Sequence, residues 1–279
     1  MTTRQEFRAL HEEGCFVIPN PWDRGSARLL KHMGFKALAT TSSGAAWTKG
    51  NTDYALDLAD ILDHLRDMVG ATDLPINADF ESGFAEDLEE LAKNVTLATA
   101  TGIAGLSIED RRQELDGFYG LSTAVERVRT ARQAIDASAG DVMLVARADI
   151  LLEDPSVVGE AIDRLVAFAA AGADCLYAPG LRTREDVQAA VRAVSPKPLN
   201  VLVQSPWTTL SEMRDLGVRR ISVGGSLAMA AWNAVIDAAR SLQEGSFDKL
   251  KGGEARSFLE SAFVDDQGGQ ARKAVRSSM

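Results

Sequence analysis

The sequence predicts an α/β chain folded as a (β/α)8 TIM-type barrel, with an additional C-terminal helical segment. Three observations predict it. Eight short apolar runs alternate strictly with helical patterns over roughly 230 residues, the size of one closed barrel of parallel strands. The runs are apolar throughout, as strands buried on both faces are. Polar and ionisable residues gather just after the runs rather than within them, as expected at the carboxyl mouth of a barrel. An open doubly wound sheet would usually carry a Gly-rich loop after its first strand. Asn20-Pro21-Trp22-Asp23 stands there instead.

Thr3–His11 reads as a short leading helix and Cys15–Pro19 as the first strand. Ser26–Met33 is helical, with Gly34 suited to its C-terminal cap. Phe35–Thr40 is the second strand, and Thr41–Leu56, rich in Ser, Thr and Gly, reads as a long polar loop before the helix Asp57–Val69. Strand three, Ile76–Ala78, leads to a helix over Glu86–Thr99, and strand four is Gly102 with Ile103–Ile108, ending in Glu109-Asp110. Thr123 and Glu126 form a capping-box pattern that starts the next helix. Val142–Ala146 is strand five, and Asp154-Pro155 is an N-cap followed by Pro at the first helical position, with the helix running to about Ala171. Ala173–Tyr177, Leu199–Val203 and Arg220–Val223 complete the strands. Their helices are Thr183–Val194, a short one capped by Thr209 and Glu212, and Leu227–Leu242. The expected division is a catalytic barrel over residues 1–242 and a helical extension over residues 243–279. Phe247–Phe263 carries apolar residues with no home in the barrel and is expected to pack on a neighbouring subunit, while Gln267–Met279 is a polar tail.

The 279 residues are 46% hydrophobic and 25% charged, globular values. A formal net charge of -10 disfavours nucleic acid or an anionic membrane as partner, since both need a basic patch. No apolar run approaches the ~20 residues of a membrane helix, and Met1–Glu13 lacks a signal-type core, so a soluble cytoplasmic protein is expected. Cys15 and Cys175 give no zinc or disulfide spacing. His11, His32 and His64 fall on predicted helices, away from the strand exits, which disfavours a His base or a Ser–His–acid triad. Asp63, Asp67 and Asp87 read as solvated helix faces.

The chemistry lies at the strand exits: Asn20 and Asp23, Thr41-Ser42-Ser43, Asn77/Asp79/Glu81, Glu109/Asp110, Arg147/Asp149, Asn200, and Gly224-Gly225-Ser226. Asn77, Asp79 and Glu81 are two apart and face one way on an extended chain. Acids are also common at helix starts, the blander origin of such a cluster. Carboxylates gathered round one centre call for a cation, and oxygen ligands without His or Cys favour Mg²⁺ or Mn²⁺ over zinc. The fork of Arg147 suits a substrate carboxylate. Gly224-Gly225-Ser226 stands where barrels often bind phosphate, though a tight turn explains it slightly better.

Asn20-Pro-Trp-Asp23 with Ser26-Ala-Arg28, the Ser43-Gly44 turn, Asp53, Asp79 followed by Glu81 and Gly83, Ser107-Ile-Glu109-Asp110, Ala146-Arg147-x-Asp149, Ala171-Gly-Ala-Asp174 and Leu199-Asn200-Val201 together resemble the isocitrate lyase / phosphoenolpyruvate mutase superfamily. The resemblance spans about residues 14–240. It implies a Mg²⁺-dependent enzyme that makes or breaks a C–C or P–C bond beside a 2-oxo or 2-hydroxy carboxylate, through a metal-stabilised enolate. Separately, a homo-oligomer, dimer or tetramer, is the expected assembly. By position, the resemblance puts Asp79 on the metal, directly or through water, with Asp53 and Glu109 as water-mediated partners and Glu81 in support. Asp53, Glu109 and Arg147 are then the catalytic set. Backbone N–H groups of Ser43, Gly44 and Ala45 would grip a small carboxylate substrate, with Trp22, Arg147 and Asn200 completing its site.

Two departures matter. Asn77 stands where the superfamily usually has the first acid of the pair, and Glu81 is the compensating candidate. The Lys-Lys-Cys-Gly loop of the isocitrate and methylisocitrate lyases is missing from Arg111–Gly120, a candidate lid in which Tyr119, Glu114 or Asp116 are possible proton donors. The leading expectation is a lyase on a small 2-oxo or 2-hydroxy (di)carboxylate. The alternatives are a phosphonate enzyme (phosphonomutase or phosphonopyruvate hydrolase type) and an inactive carboxylate-binding barrel.

Overall fold

The computed structural model describes residues 1–112, 117–138, 140–250 and 255–264. Eight parallel strands form a barrel: β1 (Phe16–Ile18), β2 (Leu38–Ala39), β3 (Ile76–Asp79), β4 (Gly105–Glu109), β5 (Met143–Arg147), β6 (Cys175–Tyr177), β7 (Leu199–Leu202) and β8 (Arg220–Ser222). From β2 to β8 each strand pairs with the next in sequence, and β8 pairs with β1. The Ala39 N–H donates to the Pro19 carbonyl at 3.1 Å and closes the ring between β1 and β2. This order is what right-handed β-α-β crossovers produce when they continue round a circle.

The helices that return the chain keep their apolar faces inward. Examples are α4 (Leu58–Ala71), which buries Ile61, Leu62, Leu65 and Met68, and α7 (Val158–Ala170), which buries Ala161, Leu165 and Phe168. Each such Ile, Leu, Met or Phe side chain contributes about 1.5–3 kcal/mol by leaving water. The amino end of the barrel is sealed by α1 (Thr3–Ala9): Phe7 is fully buried, and the ring of the following His11 packs edge-on to Phe7 and Phe16 at 4.7 and 5.0 Å. Among the described residues no helix is long and apolar enough to cross a membrane.

Several local expectations need correction. The polar loop after β2 contains a helix, α3 (Ser42–Thr48), capped by the Thr41 side chain, which accepts from the Gly44 N–H. Its Ala-Ala-Trp face is apolar enough to pack, and Ala45 and Ala46 are buried. The helix expected from Thr123 is α6 (Leu121–Ser138) and begins two residues earlier, leaving Thr123 and Glu126 inside it. The helix expected from Asp154-Pro155 begins at Val158; Asp154 instead caps a turn through the Ser156 N–H at 2.9 Å, after a 3-10 turn over Asp149–Leu152. The short helix opened by Thr209 and Glu212, α9 (Leu210–Asp215), has both arms of its capping box.

Beyond the barrel strands, α10 (Ser226–Gln243) buries just Ala228 among its 18 residues, while Met229, Trp232, Val235 and Ile236 stay exposed. A further helix, α11 (Ala255–Ala262), meets α2 (Arg24–His32), where His32 and Phe258 make an edge-to-face contact at 5.2 Å. The polar tail Gln267–Met279 lies outside the described residues.

Candidate active site

The strand exits converge on a cavity of about 210 Å³ at the carboxyl end of the barrel. Its wall includes Asn20, Ser43, Asp53, Asp79, Arg147 and Asn200 from the sequence-derived set. Arg147, last residue of β5, organises the upper ring. Its Nη1 donates to Asp79 Oδ1 at 2.7 Å, its Nε and Nη2 hold both oxygens of Asp149 at 3.2 and 2.7 Å, and Nη2 lies 3.1 Å from Glu109. Its guanidinium also faces the Tyr177 ring at 5.2 Å. Asp79 and Glu109 therefore sit at the same mouth, as expected, with a guanidinium between them. The fork expected to be open for substrate is engaged by protein carboxylates.

Backbone geometry fixes these acids in place. After β3 the chain turns through Glu81, Gly83 and Phe84, all at positive φ. A Cβ on Gly83 would meet Leu91 Cδ1 at 2.3 Å, so glycine is required there. Buried Arg127 of α6 ties the turn down, donating to the carbonyls of Ser82, Ala85 and Glu86 at 2.5, 2.7 and 3.1 Å. Glu81 is buried in this turn, near enough to raise the pKa of Glu109. Asp110 does not reach the cavity. It accepts from Arg164 at 3.0 Å and from the Asp149 N–H at 2.8 Å, fixing the β5 exit, and burial pushes its carboxyl up to about 7.

Electrostatically the ring is over-supplied with acid. Burial raises Glu109 well above the ordinary carboxylate range, with Asp149, Asp79 and Glu81 adding to the rise against the pull of Arg147. Both Glu109 oxygens are buried and accept no hydrogen bond from the described residues, the ion pair with Arg147 lacking hydrogen-bond geometry. Asp53, which accepts from the Tyr54 N–H at 3.1 Å and lies near the Ser42 hydroxyl, is raised by burial and by Asp79. These features fit a divalent cation. Among the described residues no three His, Cys, Asp or Glu side chains form a ready metal cage. Mg²⁺ does not need one, since it is usually held by one or two carboxylates with water and substrate oxygens completing the shell.

Not every expected residue reaches the cavity. Glu109 lies behind the Arg147 guanidinium, and Glu81, Trp22, Gly44 and Ala45 are not on the wall. The Gly44 and Ala45 N–H groups bond to Thr41, through its hydroxyl at 3.4 Å and its carbonyl at 3.0 Å; Trp22 packs against Gly44. Thr41, Ser42 and Ser43 face the cavity instead, the Ser42 N–H donating to Asp79 at 3.0 Å. The Val223 and Gly224 N–H groups donate to Asn20 Oδ1 at 3.0 and 2.9 Å, which favours the turn reading of Gly224-Gly225-Ser226. The Tyr119 hydroxyl donates to Glu86 at 2.9 Å, away from the wall, whereas Glu114 and Asp116 lie outside the described residues. Sequence reasoning missed Tyr54, Tyr177 and Arg220, all on the wall. Burial raises both phenols, that of Tyr177 to about 12, so both stay protonated near neutral pH.

A barrel with acids, a buried arginine and phenols at its carboxyl mouth defines a class: the α/β-barrel enzymes, which keep their chemistry at that end. The family model described as phosphoenolpyruvate phosphomutase matches residues 7–243. The chain belongs to this family, within the isocitrate lyase / phosphoenolpyruvate mutase superfamily of lyases and mutases. A crystal structure from Burkholderia cenocepacia J2315, assigned provisionally as a lyase/mutase, superposes with a TM-score of 0.89 at 40% identity, covering 95% of this chain and 97% of that one. An oxaloacetate decarboxylase of Rhodopseudomonas palustris (strain BisB5) is 29% identical over 88% of this chain and 86% of its own length. A 2-methylisocitrate lyase of Halalkalibacterium halodurans is 28% identical over 85% of this chain and 76% of its own.

Proposed function

We propose that this protein is a Mg²⁺-dependent lyase that cleaves a C–C bond in a small 2-oxo or 2-hydroxy carboxylate, with Mn²⁺ as an alternative ion. The observation that carries this reading is the ring of Asp79, Glu109 and Asp149 around Arg147, with both Glu109 oxygens buried and unbonded. Asp79, with Asp53 and Glu109 behind it and Glu81 in support, would hold the cation, which would offset negative charge developing on the substrate oxygen as the bond breaks. Thr41, Ser42 and Ser43 supply hydroxyls to orient the substrate carboxylate, and Tyr54 and Tyr177 are protonated donors on the same wall. Arg147 holds the acids in register, and a cation held there would share their negative charge.

The test is a substrate panel of oxaloacetate, methylisocitrate, dimethylmalate and phosphonopyruvate, with and without EDTA. Cleavage of a carboxylate that EDTA abolishes supports the reading; turnover untouched by EDTA rejects it. The description of the matching family favours a second reading, a phosphonate enzyme, and ³¹P spectra with phosphonopyruvate separate the two. Calorimetry with no Mg²⁺ uptake and intact ligand recovered would favour an inactive barrel.

The barrel would be residues 1–242 and the extension 243–279. The exposed face of α10 and the apolar residues Phe247, Phe258 and Phe263 support a homo-oligomer in which this region meets another copy. A monomeric mass in solution would reject it.

A further inference from the structure

A second arginine stands on the cavity wall, and the reaction outlined above does not use it. Arg220 opens β8 and is 3% exposed. Its Nε donates to Asn200 Oδ1 at 2.8 Å and its Nη1 to Asn77 Oδ1 at 3.4 Å. Both partners are neutral amides, and among the described residues no carboxylate pairs with Arg220. A buried guanidinium without a counter-ion is costly, and a cavity wall is where an incoming anion can offset that cost. The surroundings suit an oxyanion: Ser107 and Ser222 share the wall with Asn77 and Asn200, and the Asn200 amide is oriented by its bond to Ser222 at 2.9 Å.

Position sets the length of ligand. Asn77 precedes Asp79 by two residues on β3, so the Arg220 layer lies about 7 Å below the acidic ring by strand rise. That span suits a short dianion with one end at the ring and the other at the floor. The neutral Asn77 now has a physical role, because a carboxylate there would cancel the charge of Arg220.

We propose that Arg220, flanked by Asn77 and Asn200, binds the terminal oxyanion of the ligand, the end remote from the acidic ring, and so selects dianions over monoanions. This rests on the carboxylate-lyase reading and specifies its substrate as a dianion. The oxyanion is a carboxylate or a phosphonate.

The experiment is titration calorimetry of the full-length protein in Mg²⁺ with malate, phosphonolactate and 2-hydroxybutyrate, which share one end and differ at the other. The wild type is expected to bind at least one dianion roughly 10- to 100-fold more tightly than 2-hydroxybutyrate. Arg220→Gln should cut that preference to about threefold or less while leaving 2-hydroxybutyrate affinity unchanged. Asn77→Asp, which neutralises Arg220 without emptying the floor, should do the same and decides the matter if Arg220→Gln does not fold. Tighter malate marks a carboxylate, tighter phosphonolactate a phosphonate. A preference that survives in a folded variant overturns the assignment and leaves the lyase reading standing. Equal loss for all three ligands also overturns it, since Arg220 would then be holding the floor together. Failure of the wild type to bind any of the three overturns the carboxylate reading and this inference with it.

Discussion

Two arginines occupy one barrel a layer apart, and their surroundings are opposite. Arg147, at the end of β5, faces Asp79, Glu109 and Asp149. Arg220, at the start of β8, faces Asn77 and Asn200. The upper layer has more negative charge than its guanidinium can answer, and the lower has a positive charge that, among the described residues, is answered by amide dipoles. The first arrangement suits a cation and the second, on the proposal above, an anion. A pocket graded in this way orients a charged ligand before any contact is made, because reversed binding would set like charges together.

The contrast breaks most visibly at Asp79, the acid on the wall itself. Asp79→Ala should lower metal-dependent turnover by on the order of 10²–10³-fold, with little change in melting temperature. Wild-type rates in this variant would mean that the upper layer holds no cation. Arg147→Lys comes next, at on the order of 10–10²-fold, because a point charge cannot serve three carboxylates set around a planar fork. Steady-state kinetics at saturating Mg²⁺ measures both. Glu109→Gln should also lower turnover, but its stability at neutral pH should rise by about 1 kcal/mol, since it removes a carboxyl whose ionisation burial and its acidic neighbours oppose in the folded state. Denaturant melts of the metal-free protein would show it; a loss of stability would mean that Glu109 is paired more firmly than its geometry indicates.

The two layers were not equally legible in the sequence. The upper one could be read because its residues sit at strand exits, where a barrel places its chemistry, and because acids stand out against apolar strands. The lower one could not: Arg220 is the first residue of its strand, where convention expects structure rather than function, and its environment is assembled from β3, β7 and β8. Tyr54 and Tyr177 were hidden for a related reason, being aromatic residues whose burial alone does not reveal which cavity they line. Element order was legible because apolar periodicity records burial directly. α3 was not, because Ser42-Ser43-Gly44 reads as loop until the Thr41 cap and the buried Ala45 and Ala46 supply the reason for a helix. The start of α7 failed because Asp154 caps a turn instead of the helix, and that of α6 because Thr123 and Glu126 stand inside the helix rather than at its end.

The smallest effect on turnover is expected at the sealed amino end, where the comparison sharpens through stability alone. His11 lies under the floor, one ring nitrogen 2.8 Å from the Phe7 carbonyl and the other buried without a partner among the described residues. Burial, with Arg220 adding repulsion, lowers its pKa from 6.5 to about 3. His64 is lowered to about 4, also mainly by burial. The unfolded chain therefore binds protons at these sites below about pH 6.5 while the folded chain does not. Stability should be flat with respect to these groups above pH 6.5 and fall as pH drops toward 4, by at most about 1.4 kcal/mol per pH unit for each group. His11→Leu should remove its share of that slope, leave the His64 share, and keep turnover at pH 7.5 within about twofold, because His11 does not touch the cavity. Melts at pH 7.5, 6.0 and 4.5 on the wild type and His11→Leu read the difference. An unchanged slope would mean that His11 is protonated in the folded protein, placing a second cation beneath Arg220 and deepening the positive floor.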